Sequence, residues 1–341
     1  MLVLVRGGLL FGGGSLIAVV AACGLSAVGA TNVTGDGGSV DGSSSAGDGA
    51  LTDGPDGPDG PGDDGGATSC IGDRMTDPAN CGACNHDCLG GACVGGACQP
   101  TVFVAGESGA RGVAVVGQTL LWTRESASLV RSRPLSGGAT TTVITLVDAP
   151  TDVTGDGQHI WVTDRAAGEI SKWGADGSSV WTKSGFDTPT GITKDGTAVY
   201  YAIQNQDHIE SMDLDGNQTQ TRMSGLNYPA DVAVSVDKIY SASGSGILVA
   251  PLAFGTPVTN VSPTSRFKDG GGDLIHTGVT VEGSTIWFTI GSLGTVATVP
   301  TSGGAARVLA TNQADPEGIA VSANAIYWAN QGDGTIMKLA R

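Results

Sequence analysis

The chain has 341 residues, a formal net charge of -16 and only 15% charged residues, and 56 of its residues are glycine. A chain this acidic, with no basic stripe, is repelled by the phosphates of nucleic acid and by an anionic membrane surface, so neither is expected as a partner. The glycines are unevenly spread, which means that the globular part is shorter than the chain.

Residues 1–22 predict an export signal. A single charge, Arg6, is followed by an apolar run that is too short for a permanent membrane span. The run ends in Val-Ala-Ala-Cys at residues 20–23, which resembles the bacterial lipobox, where the cysteine is diacylated and becomes the new N-terminus. Since two acyl chains hold a protein on a membrane stably, we expect a lipid anchor on Cys23 and an outer-membrane or cell-surface location. Ordinary signal cleavage within residues 27–30 is the alternative.

Residues 23–69 predict a disordered tether. Between Gly24 and Ser69 there are eight Asp and no Lys, Arg or aromatic residue, and Asp-Gly-Pro repeats at residues 53–61. Such a segment cannot bury enough apolar surface to offset its chain entropy, and it is typical of an extended spacer. Calcium binding by the aspartates is the alternative, although the spacing of a calcium loop is missing.

A cysteine-rich segment follows at residues 70–98. Its six cysteines are Cys70, Cys81, Cys84, Cys88, Cys93 and Cys98. In an exported protein this density predicts three disulfides, whose pairing the spacing leaves open; a zinc site on the same thiolates, with His86 as a further ligand, is the alternative. The run Asn-Cys-Gly-Ala-Cys at residues 80–84 resembles cysteine-rich segments of predicted myxobacterial lipoproteins and is similar to the stigma-specific cysteine-rich family. That resemblance implies an extracellular module.

From residue 99 onward the chain repeats. A small or acidic residue heads each unit: Gly112, Asp152, Gly191, Asp231, Gly278 and Gly318. These positions are 40, 39, 40, 47 and 40 residues apart. A short strand begins eight residues after each of these positions, and these six strands together hold four of the six Trp and four of the five Tyr of the chain. A β-branched residue lies 18 residues after the head of each unit, and in four units a Ser-Gly or Asp-Gly turn comes after this residue.

Four short strands in about 40 residues are typical of propeller blades. We therefore predict an all-β fold, a six-bladed β-propeller over residues 99–341, and expect a monomer. The last unit has only three strands, while a strand-like stretch at residues 101–104 precedes the first unit. We expect that stretch to complete the sixth blade and close the ring.

The units resemble the NHL and YWTD propeller families. The resemblance rests on Asp-Pro-Glu-Gly-Ile-Ala-Val at residues 315–321, Ile-Tyr-Trp-Ala-Asn at residues 326–330 and Gly-Thr-Ile at residues 334–336. Members include ligand-binding ectodomains, scaffolds and enzymes such as virginiamycin B lyase and the senescence-marker lactonases, so the resemblance selects no function. The chain departs from the lyase because it has six units, not seven, and its residues do not match the lyase's catalytic histidine and glutamate pattern.

Candidate site residues lie where units enter their innermost strands. Arg111, Asp152, Asp231 and Glu317 are predicted to meet at the mouth of the central channel. Converging carboxylates there are able to hold a divalent cation such as Ca²⁺, which would polarise an ester carbonyl. The alternative is that these aspartates accept hydrogen bonds from backbone amides, as Asp does in turns.

An insertion lengthens the fourth unit to 47 residues and supplies a second set of candidates. They are Arg266, Lys268, Asp273 and His276. Long loops on rigid scaffolds often carry binding, whereas the alternative is a tolerated glycine-rich surface insertion.

The function expected from these features is noncatalytic. We expect a surface-displayed binding module without a cofactor, whose ligand is an envelope or extracellular protein, peptide or glycan. The alternative is an extracytoplasmic, lactonase-like hydrolase or a lyase that uses a cation at the channel mouth.

Overall fold

The computed structural model describes residues 72–145, 148–253, 258–261 and 276–341, all within one compact unit that spans residues 66–341. The signal segment, Cys23, the tether and Cys70 lie outside the described residues. Within the described ranges, no helix is both long and apolar enough to cross a membrane.

The described chain is built almost entirely from short antiparallel strands. In chain order they are β1 (Cys93–Val94), β2 (Ala97–Cys98), β3 (Thr101–Val104), β4 (Ala110–Val116), β5 (Thr119–Arg124), β6 (Leu129–Pro134), β7 (Thr141–Thr145), β8 (Pro150–Gly155), β9 (His159–Asp164), β10 (Glu169–Gly174), β11 (Ser179–Ser184), β12 (Pro189–Lys194), β13 (Ala198–Ile203), β14 (His208–Asp213), β15 (Gln220–Ser224), β16 (Asp231–Val234), β17 (Lys238–Ser243), β18 (Gly246–Pro251), β19 (Thr259–Asn260), β20 (His276–Glu282), β21 (Thr285–Ile290), β22 (Thr295–Pro300), β23 (Arg307–Ala310), β24 (Pro316–Val321), β25 (Ala325–Asn330) and β26 (Thr335–Ala340). Single 3-10 turns follow β5, β13 and β21: Glu125–Ala127, Gln204–Gln206 and Gly291–Leu293.

The strands form six four-stranded blades, which confirms the predicted propeller. Blades 1 to 5 consist of β4–β7, β8–β11, β12–β15, β16–β19 and β20–β23, and blade 6 consists of β24, β25, β26 and β3. Each innermost strand contacts the innermost strands of both neighbouring blades, and β24 contacts β4. The ring is therefore closed.

The hydrophobic core is divided among the interfaces between blades. Six clusters of buried residues occur, and each combines side chains from two neighbouring blades. The aromatic second strands supply the largest of them, including the fully buried Trp122, Trp161 and Trp328. Because no blade buries this surface alone, folding of one blade depends on its neighbours.

The predicted closure of the ring by residues 101–104 is confirmed. Strand β3 pairs antiparallel with β26, with Val104 opposite Ile336 and Thr101 opposite Lys338. Blade 6 thus takes one strand from the start of the propeller and three from its end, so that both ends of the ring belong to one sheet.

The cysteine-rich segment is held by disulfides and packs on the propeller. Strands β1 and β2 pair as a hairpin. The bonds are Cys81–Cys93 and Cys88–Cys98, and Cys84 is disulfide-bonded as well. These sulfurs are not available as zinc thiolates, so the disulfide prediction holds. The His86 ring bridges two backbone carbonyl oxygens, at 2.5 Å from Cys81 and 2.6 Å from Arg341, and so joins this segment to the end of blade 6.

Buried threonine hydroxyls link neighbouring blades near the channel. The hydroxyl of Thr123 accepts a hydrogen bond from the N–H of Gly112 (2.9 Å) and donates to the carbonyl oxygen of Thr151 in blade 2 (3.0 Å). In blade 2, Thr163 likewise donates to the carbonyl oxygen of Thr190 in blade 3. Each hydroxyl satisfies backbone groups of two blades at once.

We expect Thr123→Val to destabilise the fold, because it leaves a buried N–H and a buried carbonyl oxygen without their partner. The free energy of unfolding should fall by about 1–3 kcal/mol. Thr123→Ser keeps the hydroxyl and should lose less than half as much. Denaturant unfolding followed by tryptophan fluorescence measures both variants, and equal losses would show that the methyl group, not the hydroxyl, is what matters.

Candidate functional site

The candidate site lies on the entry face, the end of the ring where the chain enters each innermost strand. Four residues selected from the sequence, Arg111, Asp152, Asp231 and Glu317, line one cavity at the mouth of the central channel. The cavity measures only about 20 Å³, room for about one water molecule. The mouth is therefore a narrow point and not an open cleft.

Close backbone contacts cause this constriction. A Cβ atom on Gly112 would lie 2.1 Å from Oδ1 of Asp152, and one on Gly191 would lie 2.4 Å from the Cα atom of Asp231. Only glycine fits at these two positions, since real Cβ atoms do not approach other atoms so closely. The unit heads of neighbouring blades thus lie in close contact around the mouth, where the cavity is small.

Behind the constriction lies a channel cavity of about 150 Å³. Its described lining is mostly aliphatic, with residues such as Val115, Val153 and Ile319. Asp152 and Asp231 are the two ionisable side chains among the described residues that line it. Acid–base chemistry by side chains in the described part of the channel therefore depends on this pair.

Each of the two aspartates ties its own blade to the next one. Oδ2 of Asp152, in blade 2, accepts a hydrogen bond from the backbone N–H of Ile192 in blade 3 (2.8 Å). Oδ2 of Asp231, in blade 4, accepts from the N–H of Val279 in blade 5 (2.8 Å), and its Oδ1 accepts from the N–H of Val232 (2.7 Å). Much of the acceptor capacity of both carboxyl groups is therefore used by the scaffold.

The two carboxyl groups also interact with each other. Burial raises the pKa of Asp152 well above its ordinary value, and the charge of Asp231 raises it further. Burial likewise raises the pKa of Asp231 to about 7, although hydrogen bonds from the backbone and from Asp152 oppose the shift. Two buried carboxyl groups in one hydrogen-bonded pair cannot both ionise easily, so the pair retains a proton near neutral pH.

A rim network of charged and polar side chains surrounds the mouth. Its members come from blades 1, 2 and 6, and they are Arg111, Glu125, Arg165, Glu317 and Gln331. Glu125 is the centre: it pairs with Arg111 (3.0 Å) and Arg165 (2.9 Å) and accepts from the Gln331 amide (3.3 Å). Glu317 lies 3.8 Å from Arg111, and burial raises its pKa to about 7 even though Arg111 opposes the shift.

Sequence reasoning missed three members of this network. Glu125, Arg165 and Gln331 all occur 13 residues after the head of their units, directly after the aromatic strand. This position begins the connection between the second and third strands, which reaches the entry face. An aligned repeat therefore contains the signal, but it becomes visible only when the same offset is compared across blades.

The second candidate set is not placed at the mouth. His276 is fully buried at the start of β20, and its ring lies 5.3 Å from that of Phe288. It does not line the mouth cavity. Arg266, Lys268 and Asp273 lie outside the described residues.

Among the described residues, the carboxylates at the mouth do not form a compact set of ligands for a divalent cation. Calcium requires six to eight oxygen ligands, and zinc requires four ligands close together. Within the described ranges, three side chains of metal-binding type have ligand atoms that all lie within 4.8 Å of one another: Cys81, Cys88 and Cys98. All three belong to disulfides. Asp152, Asp231 and Glu317 do not form such a group.

Comparisons with known proteins identify the fold and no family. No family model matches the chain, and no curated protein matches it. Among solved structures it is similar to a gluconolactonase from Xanthomonas campestris, with a TM-score of 0.59, 15% identity and coverage of 71% of this chain and 89% of the other. It is also similar to an inactive virginiamycin B lyase from Staphylococcus aureus with quinupristin, with a TM-score of 0.53, 16% identity and coverage of 71% and 98%.

A third similar structure, from a nidogen/laminin complex, has a TM-score of 0.49, 20% identity and coverage of 57% of this chain and 77% of the other, too weak to support an argument. At such identities a structural likeness establishes the fold alone, and propellers host many unrelated functions. The chain is accordingly a six-bladed β-propeller with structural neighbours that include enzymes, and its function has to be argued from its own residues.

Proposed function

We propose that this protein is an exported, lipid-anchored binding module whose ligand, an envelope or extracellular protein, peptide or glycan, docks on the entry face. The observation that carries the proposal is the rim network, in which Glu125 lies between Arg111 of blade 1 and Arg165 of blade 2 and also accepts from Gln331 of blade 6. Such a preorganised polar rim favours recognition of a partner over chemistry in the channel, because the cavity at the mouth beneath it measures only about 20 Å³.

An exposed tyrosine on the same face supports a recognition role. The Tyr228 side chain is 53% exposed, although its backbone has a φ of 53° that costs free energy for an aromatic residue. Its N–H donates to Oδ1 of Asp207 (3.0 Å), which holds the loop in place. Tyrosine and arginine are the side chains most often dominant in binding energy at protein interfaces.

Binding assays with the exported chain on arrays of glycans and envelope peptides test the proposal. We expect Arg165→Glu and Tyr228→Ala each to weaken binding of the selected ligand at least about tenfold, the size typical of an interface hot spot. Asp237→Lys and Val236→Ala are matched controls, because both residues are exposed in the turn between β16 and β17 at the opposite end. A ligand that binds equally well to all four variants would contradict an entry-face site.

The catalytic alternative makes a different prediction. A metal-dependent hydrolase or lyase requires a cation, and the described ligand set at the mouth does not suit one. Metal analysis of the purified chain is therefore expected to give less than one divalent ion per molecule. One equivalent of Ca²⁺, lost in the Asp231→Asn variant, would favour the enzyme instead.

The anchor is proposed from the sequence alone, on the apolar run that ends at Cys23. We expect Cys23→Ala to release the protein from the membrane fraction, because the acylated side chain is lost. Membrane fractionation of cells that express either form measures this. Unchanged membrane association of Cys23→Ala would rule out the lipid anchor but leave the entry-face proposal intact.

A further inference from the structure

A second cavity lies at the end of the ring opposite the entry face, between the cysteine-rich segment and blades 5 and 6. This junction cavity has a volume of about 390 Å³, within the range of small-molecule pockets. His86 and Cys98 contribute from the cysteine-rich segment, Trp287 and Arg307 from blade 5, and Arg341 from the end of blade 6. Since Cys98 belongs to a disulfide, that wall is covalently fixed.

Comparison of blades within the chain explains why space exists here. In blade 2, Lys172 pairs across the sheet with Trp161, and its ammonium group lies 5.2 Å from the indole ring. The equivalent residue of blade 5, also 20 positions after the unit head, is Thr298, which pairs with Trp287. A threonine is shorter than a lysine and leaves room beside the indole, part of which the guanidinium group of Arg341 takes, 4.7 Å from the Trp287 ring.

One side of the junction cavity is apolar. Trp287 is nearly buried in the interface between blades 5 and 6, where Ile326 and Leu339 belong to the same cluster. Val308, also in the wall, is 47% exposed. These side chains present a hydrophobic surface suited to an aromatic or aliphatic body.

The ionisable side chains that line the junction cavity differ in sign from the net charge of the protein. Within the described ranges they are His86, Arg307 and Arg341, all of them basic, although the chain carries a net charge of -16. Arg341 is paired with Glu282, and its guanidinium group lies 4.7 Å from the Trp287 ring. The side chain of Arg307 is exposed and makes no hydrogen bond or ion pair with another described residue. Its guanidinium group is therefore available to an anion.

We propose that the junction cavity is a ligand site for small aromatic carboxylates. The aromatic body packs beside Trp287 and Ile326, and the carboxylate pairs with Arg307, whose planar guanidinium group matches carboxylate geometry. The cysteine-rich segment is then part of a binding site and not only a spacer. This site is separate from the entry face and does not rest on the function proposed above.

Isothermal titration of the exported chain with naphthoate and with its uncharged isostere naphthamide tests the site. We expect naphthoate to bind about tenfold more tightly than naphthamide, because only the acid gains a charge-assisted hydrogen bond. Arg307→Gln should remove this difference in affinity, because it weakens the binding of naphthoate and leaves that of naphthamide unchanged. Thr298→Lys, which introduces the residue found in blade 2, should fill the cavity and abolish binding of both compounds.

Arg165→Gln, on the rim network, is the matched control and should leave both affinities unchanged. Thermal unfolding of each variant, with a midpoint within a few degrees of the parent, establishes that the fold is intact. The proposal is overturned if naphthoate does not bind, if Thr298→Lys binds it normally, or if Arg307→Gln and Arg165→Gln behave alike. Loss of entry-face binding in Arg165→Glu with normal naphthoate binding would keep the two sites distinct.

Discussion

Val104→Asp is expected to destabilise the whole propeller by about 3–5 kcal/mol, a large part of the stability of an ordinary domain. Val104 is 8% exposed and packs in the cluster between blades 6 and 1 with Trp122 and Ile336. An aspartate there places a carboxyl group without a partner among apolar side chains. Because β3 is the strand that joins the two ends of the ring, the loss affects the closure of the ring and not one blade alone.

Val102→Asp is the matched control for this experiment. It makes the same substitution on the same strand, but Val102 is 51% exposed, so its effect should stay within about 0.5 kcal/mol. Denaturant unfolding, followed by the fluorescence of the buried tryptophans, gives both free energies. If the two variants unfold at the same denaturant concentration, the closing strand contributes little and the ring is held by other contacts.

Much of the fold could be predicted because the repeat places equivalent residues at constant offsets. The aromatic strand predicted in every unit is the buried second strand, and Trp122, Trp161 and Trp328 lie there without exposure. The closing strand could be predicted as well, since a ring of blades leaves one strand missing at residue 341 and one spare at residue 101. Periodicity and strand count are properties of the chain itself.

The details of the site could not be predicted in the same way, because they depend on contacts between blades. The sequence offered local backbone amides as partners for the aspartates, and Asp231 does accept from its neighbour Val232, but Asp152 accepts from Ile192, 40 residues away in the next blade. The pairing of Glu125 with Arg165 also joins two blades. Neither contact has a local signal, because the twist and spacing of the ring decide which side chains meet.

The buried carboxyl pair predicts an unusual dependence of stability on pH. In the unfolded chain an aspartate titrates near 3.8, whereas burial raises the pKa of Asp231 to about 7 in the fold. Between these values the folded protein binds more protons than the unfolded chain, so the free energy of unfolding falls as pH rises. The contribution of Asp231 is fully present below about pH 4 and is lost as pH rises through about 7. Glu317, with a pKa of about 7, acts in the same direction.

Asp231→Asn should remove much of this dependence, because an amide has no proton to lose. Its oxygen still accepts from the N–H of Val279, and its NH₂ group can donate to Asp152, so the contacts between blades survive, while the N–H of Val232 loses its acceptor. We expect the variant to be more stable than the parent at pH 8 by about 1–3 kcal/mol, and to differ less from it at pH 5.

Asp148→Asn, on an exposed aspartate, is the control and should follow the parent at every pH. Denaturant unfolding at intervals between pH 5 and pH 8 provides the three profiles. Two results would contradict this expectation: a parent protein whose stability rises over this range, or an Asp231→Asn variant that is less stable than the parent at pH 8. Either result would mean that the pair is ionised and held by the backbone amides. The carboxyl groups would then stabilise the ring through charge-assisted hydrogen bonds and not through a retained proton.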